Sequence, residues 1–372
     1  MSHSGFLPRL DVRLPIVQAP MAGISTPALA AEVSNSGGLG SLGIAAMTPH
    51  QARAAIEETS RLTSNPFNVN VFCHAPAKPD PVREEAWLRY LSPLFQEFGQ
   101  KPPDQLQLLY KSFQEDDEML QLLLDLKPAV VSFHFGLPSA EKIHALHEAG
   151  ILLLATATNP DEAGQIAAAK LDGIVAQGFE AGGHRGTFRP DLRDECLGAF
   201  TLTRLILKNF SLPVITAGGI MDGAGIAAAL SMGAEAAQLG TAFVTCAESA
   251  ADSAYREALA ACASLGTVMT RTISGRSARG LSNRFTALGE VSACPDLPDY
   301  PLPYFAGKAL HTAAKQRGSS AFAAHWAGQG VAMLRPRPAA ELVMLLSEEI
   351  LQKESVGFRS ERKTLDTRVS RT

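Results

Sequence analysis

From the N-terminus to about Ala247 the chain alternates short apolar, β-rich runs with alanine-rich stretches of helical character, and this alternation limits the fold more than any single motif. Strands separated by helices pair in parallel, because each helix carries the chain back to the edge where the next strand must start. Candidate strands fall at residues 16–18, 39–42, 67–71, 129–133, 152–155, 173–176, 214–217 and 237–239. Eight such units predict an α/β fold, a (β/α)8 TIM barrel whose active site lies at the C-terminal ends of its strands. An open doubly wound sheet is the competing arrangement.

Two stretches depart from the alternation. Between residues 74 and 114, Pro76, Pro79, Pro81, Pro93, Pro102 and Pro103 are expected to break regular structure, while Trp87, Tyr90, Phe95 and Tyr110 add aromatic bulk. This reads as an insertion over the barrel mouth. Beyond Ala247 helical stretches dominate, divided by the proline-rich residues 294–304. The expected organisation is a barrel over 1–247, a smaller and mostly helical substrate or lid domain over 248–352, and a polar tail over 353–372.

Composition removes several classes of function. A net charge of -4 gives no electrostatic reason to expect nucleic acid. No apolar run reaches membrane-spanning length, and the N-terminus lacks a basic region followed by an apolar core, so neither secretion nor a membrane anchor is expected. The five cysteines are scattered, without Cys-x-x-Cys spacing, which argues against disulfides and zinc and for a reducing cytoplasm. His144 and His147 sit three apart on a probable helix with no third ligand in view, so no metal is expected. His50, His311 and His325 read as surface or capping residues, and Cys246 has no base placed to activate it.

The segment Gln177-Gly-Phe-Glu-Ala-Gly-Gly-His184-Arg-Gly-Thr187 follows the strand at 173–176 directly. Glycines past a strand let backbone N–H groups approach a ligand closely, and an imidazole at the strand mouth can take or give a proton near pH 7. His184 is therefore the candidate general base. The plainer alternative is a tight turn in which His184 satisfies a local hydrogen bond. Arg185 either supports His184 or pairs with a carboxylate such as Glu180.

Two later strand ends are also rich in glycine. Val214-Ile-Thr-Ala-Gly218-Gly219-Ile220 leads into a helix at Asp222, and Gln238-Leu-Gly240-Thr241 repeats the arrangement one unit later. Helix starts with approachable backbone suit a phosphate, and barrels often bind phosphate after their last two strands. Helix–strand packing alone would also explain these glycines. Gly37-Gly38-Leu-Gly40 precedes a strand instead of following one, which discounts it as a dinucleotide fingerprint.

Taken in order, Pro15-Ile-Val-Gln-Ala-Pro20-Met21-Ala22-Gly23, Gly37-Gly38-Leu-Gly40, Phe67-Asn68-Val69-Asn70, the Gly-Gly-His segment and the two late glycine sites resemble the nitronate monooxygenases, once called 2-nitropropane dioxygenases. Ser132-Phe133-His134-Phe135-Gly136 and the Tyr300, Tyr304, Lys308 repeat resemble motifs of class I of that family. The resemblance implies an FMN-dependent barrel. It places the flavin ring against Ala19, Pro20, Met21 and Ala22, hydrogen-bonded by Asn70 and Gln177, with Gly182 and Gly183 close to it. Gly218, Gly219, Gly240 and Thr241 would hold the phosphate, with Gln238 nearby.

The implied reaction is oxidation of an alkyl nitronate, above all propionate 3-nitronate, by O2 through a flavin semiquinone, giving a carbonyl product with nitrite and nitrate. His184 would deprotonate a neutral nitroalkane, or act by position and charge on a preformed anion. His134, Tyr110, Tyr255, Tyr300, Tyr304 and Lys308 are the candidates to bind substrate; spacing alone would make the Tyr/Lys repeat one solvated helix face. The expected state is a monomer or homodimer. The alternatives are an NAD(P)H-dependent FMN reductase of quinones or enoyl thioesters, a flavin-free isomerase or aldolase, and a non-catalytic flavin carrier.

Overall fold

The computed structural model describes residues 5–262 and 266–353. In chain order its strands are β1 (Ile16–Gln18), β2 (Gly40–Gly43), β3 (Phe67–Phe72), β4 (Val130–His134), β5 (Leu152–Ala157), β6 (Gly173–Gln177), the two-residue β7 (Gly183–His184), β8 (Val214–Ala217), β9 (Ala236–Leu239), β10 (Thr267–Thr270) and β11 (Ala278–Leu281). Among the described residues, eight of these form one parallel sheet in the order β1-β9-β8-β6-β5-β4-β3-β2. The ring closes where Val17 bridges Leu39: Gln18 N–H donates to Leu39 O and Leu39 N–H to Ile16 O, each at 2.9 Å. The chain is the expected TIM barrel, and the open sheet is excluded.

The helices between the strands begin where short polar side chains punctuate the sequence. Thr26, Thr48, Ser139, Asn159 and Asp222 each accept a backbone N–H from the first helical turn, and Pro27, Pro49 and Pro160 stand where no N–H is needed. Their apolar faces, carrying Ile56, Leu123, Leu146, Ile166 and Ile206, pack on the outward residues of the strands, such as Val69, Val131, Leu153 and Ile174.

Inside the barrel the period-two alternation of a strand sets the site. Val130, Leu154, Val175 and Ile215 form an apolar plug with Phe6 and Leu7 beneath it, from the helix Phe6–Arg9. Two residues further along their strands stand Ser132, Thr156, Gln177 and Ala217, which line a cavity whose floor Val175 also reaches. The barrel is thus filled at one end and open at the other.

Pro76, Pro79, Pro102 and Pro103 lie in irregular chain as expected, but Pro81 and Pro93 do not break the 74–114 stretch. A helix, Pro81–Glu97, runs through it: Pro81 occupies the first turn, where its missing N–H costs nothing, and Pro93 lies inside the helix. Its Trp87, Leu91 and Phe95 join Leu302, Ala306 and Leu310 of the helix Leu302–Lys315, with Phe285 and Phe322, in a core separate from the barrel's.

Beyond residue 247, helices are separated by long irregular stretches, and two strands depart from the expected helical character. β10 pairs antiparallel with β11, and β11 pairs antiparallel with β7 of the Gly-Gly-His segment. Residues 339–353 are helical, and Leu342, Val343, Leu346 and Ile350 pack on the barrel side beside Leu29, Val33 and Ile226. Of the expected polar tail, residues 354–372 lie outside the described residues. Among the described residues no helix is long and apolar enough to cross a membrane.

Candidate active site

A cavity of about 600 Å³ opens at the C-terminal ends of the barrel strands. Its floor is the upper layer of inward residues, and its wall is completed by Tyr255, Tyr304, Lys308 and Trp326 from beyond the barrel. Among the described residues the wall contains Lys308 and two histidines but no carboxylate. Such a lining favours anions.

The Gly-Gly-His segment crosses this cavity as a strand. Pairing of Gly183 with Arg279 and of His184 with Ala278 fixes the backbone on one side. On the other, the His184 carbonyl accepts from the Gln177 amide at 2.9 Å and from His134 Nε2 at 3.2 Å. Gly183 adopts φ +76, where an added Cβ would meet nothing within 4 Å. Only glycine takes up this left-handed backbone at little cost, and the space beside it is open. Gly182 has the opposite constraint: a Cβ there would collide with Gly328 N at 2.5 Å.

A carbonyl oxygen only accepts, so His134 carries its proton on Nε2, and its Nδ1 takes the Thr156 hydroxyl at 3.0 Å. Burial, opposed only in part by the bond to His184, brings its pKa down to about 4. The His184 ring lies among Phe135, Tyr300 and Trp326, with centroids 5.7, 5.6 and 5.2 Å away, and its Nε2 meets Ser274 Oγ at 2.8 Å. Burial first, then the charges of His134 and Arg276, lower its pKa to about 3. Both imidazoles are neutral at physiological pH.

The structure brings the expected residues together. Ala19, Pro20, Met21 and Ala22, then Asn70, Gln177, Gly182 and Gly183, line the cavity, as do Gly218, Gly219, Gln238, Gly240 and Thr241. Gly218 and Gly219 have φ of +120 and +72, so the chain after β8 turns in a way side chains resist. Thr241 accepts the Gly328 N–H at 2.9 Å, leaving its hydroxyl proton to donate. His184, His134, Tyr110, Tyr255, Tyr304 and Lys308 are also in the wall. Tyr300 stands just behind it, its hydroxyl 2.6 Å from that of Tyr110.

Several polar groups are committed to the protein. The Asn70 amide nitrogen donates to Ser132 O and Oγ, which leaves its carbonyl as the group available to a ligand. The Tyr255 hydroxyl donates to Trp326 O and its ring stacks on the half-buried His325 at 4.4 Å, so His325 also supports the wall. Arg185 pairs with Asp194 at 2.8 Å and not with Glu180, whose carboxylate caps the helix Ala199–Asn209 at the Ala199 N–H. Burial pushes the Cys246 thiol up to about 12, so it stays protonated.

Sequence reading passed over Phe135, Ser274, Arg276 and Trp326. Phe135 has φ +73, a strained conformation for a side chain of its size, which turns its ring toward His184. The only local signal was its place beside His134 in the quoted motif. The others lie far along the chain: Ser274 and Arg276 meet the site from the turn beside the β11–β7 pairing, and Trp326 through its bridge to Gly280 and the Tyr255 hydroxyl.

The nitronate monooxygenase family matches residues 7–349 of this sequence. The chain belongs to the nitronate monooxygenase family. It is 58% identical to a nitronate monooxygenase of Paraburkholderia phytofirmans, over 93% of this chain and 94% of that protein. It is 55% identical to one of Pseudomonas aeruginosa, over 92% and 97%. Among solved structures it is similar to nitroalkane oxidase from Streptomyces ansochromogenes, with a TM-score of 0.84 and 38% identity over 94% of this chain and 99% of that one. FabK from Thermotoga maritima shares the fold at a TM-score of 0.71 and 27% identity, over 96% and 98%. This nitronate monooxygenase relative is thus an oxidoreductase built on a TIM barrel, and its family membership supports oxidation of nitronates.

Proposed function

We propose that the cavity binds FMN together with a small alkyl nitronate, propionate 3-nitronate above all, as in class I of the family, with O2 as co-substrate. The carrying observation is a cavity of about 600 Å³ with one lysine, two neutral histidines and no carboxylate among the described residues. The residues fit the cofactor. The space beside Gly183 is a cradle that any Cβ would fill, and the Asn70 carbonyl faces the cavity as an acceptor. Gly218, Gly219, Gly240 and Thr241 would hold the phosphate at a turn and at a helix start. Bound there, FMN would supply the electron acceptor for the nitronate, and O2 would complete oxidation to a carbonyl compound, malonic semialdehyde for propionate 3-nitronate, with nitrite and nitrate.

The chain's own groups bind and orient. Lys308, with its ammonium 5.0 Å from the Tyr304 ring centroid, would receive the propionate carboxylate, and Tyr110 and Tyr304 would donate to the anion. The rings of Phe135, Tyr300 and Trp326 pack around the His184 imidazole and hold it at the cavity wall. An imidazole whose pKa is near 3 is a weak base, so His184 suits a substrate that arrives already deprotonated. Its part is then to orient the anion by a hydrogen bond. We further propose that residues 1–247 hold the cofactor and that 248–352 supply the substrate wall.

The test is anaerobic mixing of the purified, FMN-loaded protein with propionate 3-nitronate and, separately, with NADH, while the flavin spectrum is followed. A response to the nitronate and none to NADH is expected. Full bleaching by NADH with no nitronate response would move the chain to the NAD(P)H-dependent FMN reductases.

A further inference from the structure

Arg276 sits in the turn between β10 and β11, and among the described residues it is a buried cation without an ion pair. It is 3% exposed. Its Nη2 donates to Thr187 O at 2.6 Å, while its Nε has no partner among the described residues. The neighbouring buried arginine, Arg185, has its carboxylate at 2.8 Å in Asp194. Glu162, whose charge does reach Arg276, already accepts the backbone N–H groups of Thr158 and Phe188. Burying an unpaired guanidinium is costly, so its presence requires either compensation elsewhere or a charge that arrives later.

The geometry shows where that charge would be felt. The guanidinium carbon lies 4.3 Å from the Phe135 ring centroid and 5.7 Å from that of Tyr300. The same two rings contact His184, at 5.7 and 5.6 Å, so one layer of aromatic carbon separates the cation from the imidazole. The turn is hooked to the site as well: Ser274 Oγ meets His184 Nε2 at 2.8 Å and accepts the Arg276 N–H at 3.3 Å. Gly275 makes the turn possible, with φ +92 and no room for a Cβ, which would meet Pro298 O at 3.0 Å.

We propose that Arg276 is a positioning residue whose unpaired charge, set against Phe135 and Tyr300 and hooked to His184 through Ser274, is felt at the His184 ring and draws an anionic substrate group to the Tyr110–Tyr300 end of the cavity. The second half of this statement rests on the nitronate reading of the site. In a water-poor interior a unit charge is felt across a ring's thickness. His74, His134 and His184 all have their pKa lowered in part by Arg276, after burial. The other groups facing this region are the phenols Tyr110, Tyr300 and Tyr304, all held protonated by burial, together with Arg271 and Glu162. None of them is a carboxylate paired with Arg276.

The experiment uses the FMN-loaded protein, Arg276→Met and Arg276→Lys. Nitrate, an inert anion, is titrated against the flavin absorbance, and the His184 ring is titrated by NMR with histidine-labelled protein, its signals assigned by their loss in His184→Asn. Arg276→Met is expected to weaken nitrate binding roughly tenfold or more, and to raise the His184 titration by the smaller share that Arg276 contributes, burial keeping the rest. Arg276→Lys, which keeps the charge, should stay within about threefold of the parent. A folded Arg276→Met with unchanged nitrate affinity and unchanged His184 titration overturns the proposal. If that variant does not fold, the parent protein still decides: a His184 titrating near 6.5, the ordinary value, overturns it as well. Nitronate turnover is read separately. Its absence, with the effect of Arg276 on His184 intact, would sink the substrate reading and leave the charge coupling standing.

Discussion

His134 donates from Nε2 to the backbone carbonyl of His184 at 3.2 Å, so one histidine holds the main chain of the other in place. The bond requires the Nε2–H tautomer of His134, and burial keeps both rings neutral. Four expectations follow from this and the neighbouring contacts.

Acid should destabilise the protein through these two rings. Their folded pKa values, about 4 and about 3, lie below the ordinary 6.5. Below pH 6.5 the unfolded chain therefore takes up protons that the folded one refuses. Their contribution is fully present above 6.5 and is lost as the pH falls toward 4, by on the order of 2–3 kcal/mol per histidine. Thermal melts from pH 7.5 to 4.5 should show a falling Tm, with a shallower slope in His134→Gln. Parallel slopes in the two proteins would refute the neutral, buried assignment of His134.

Replacing His184 by Asn removes the weak base that a neutral nitroalkane would need but leaves a hydrogen-bonding side chain for a preformed anion. Turnover of neutral nitroalkanes should fall at least about a hundredfold, while turnover of preformed nitronates should stay within roughly tenfold. Steady-state oxygen consumption with each substrate form measures both. Equal losses would show that His184 acts on the anion and the neutral molecule alike.

Gly183→Ala and Gly150→Ala make a matched pair. Both glycines have positive φ, +76 and +82, and in both an added Cβ meets nothing within 4 Å. Each substitution should cost roughly 1–2 kcal/mol in backbone strain. Only Gly183 borders the cavity, so only Gly183→Ala should weaken FMN binding, by about tenfold, in fluorescence titrations. Similar FMN affinities in the two variants would count against the flavin position proposed here.

Lys308 is exposed at the cavity wall and has no ion pair among the described residues. Lys308→Met should raise KM for propionate 3-nitronate by roughly tenfold and leave KM for ethyl nitronate, which has no carboxylate, near its parent value. A rise of the same size for both would place the carboxylate elsewhere.

Much of the barrel is legible because its signals are local. Strands of three to six residues alternate with helices whose starts are marked by Thr26, Thr48, Ser139, Asn159 and Asp222, and each of these side chains acts within three residues of itself. The glycines after β8 and β9 and the Gly-Gly-His segment are likewise short-range features. Pro93 misled because a proline's effect depends on what surrounds its turn: Trp87, Leu91 and Phe95 are buried along the same helix, and tertiary packing overrides the local penalty. Arg276, Ser274 and Trp326 were invisible for another reason. Nothing in their own neighbourhoods points to a site, since they come to His184 through long-range contacts, the β11–β7 pairing and the Gly280–Trp326 bridge, across most of a domain's length of chain.

That pairing has a consequence for how the protein can be recombined. The imidazole belongs to the barrel by sequence, but its main chain is stitched along one edge to Ala278 and Arg279. A chimera that takes residues 1–247 from this chain and the remainder from a distant relative would inherit the histidine and lose the edge that aims it. Crossovers that keep 183–184 and 278–279 from the same parent should yield working enzymes; those that separate them should yield folded barrels with a misdirected ring.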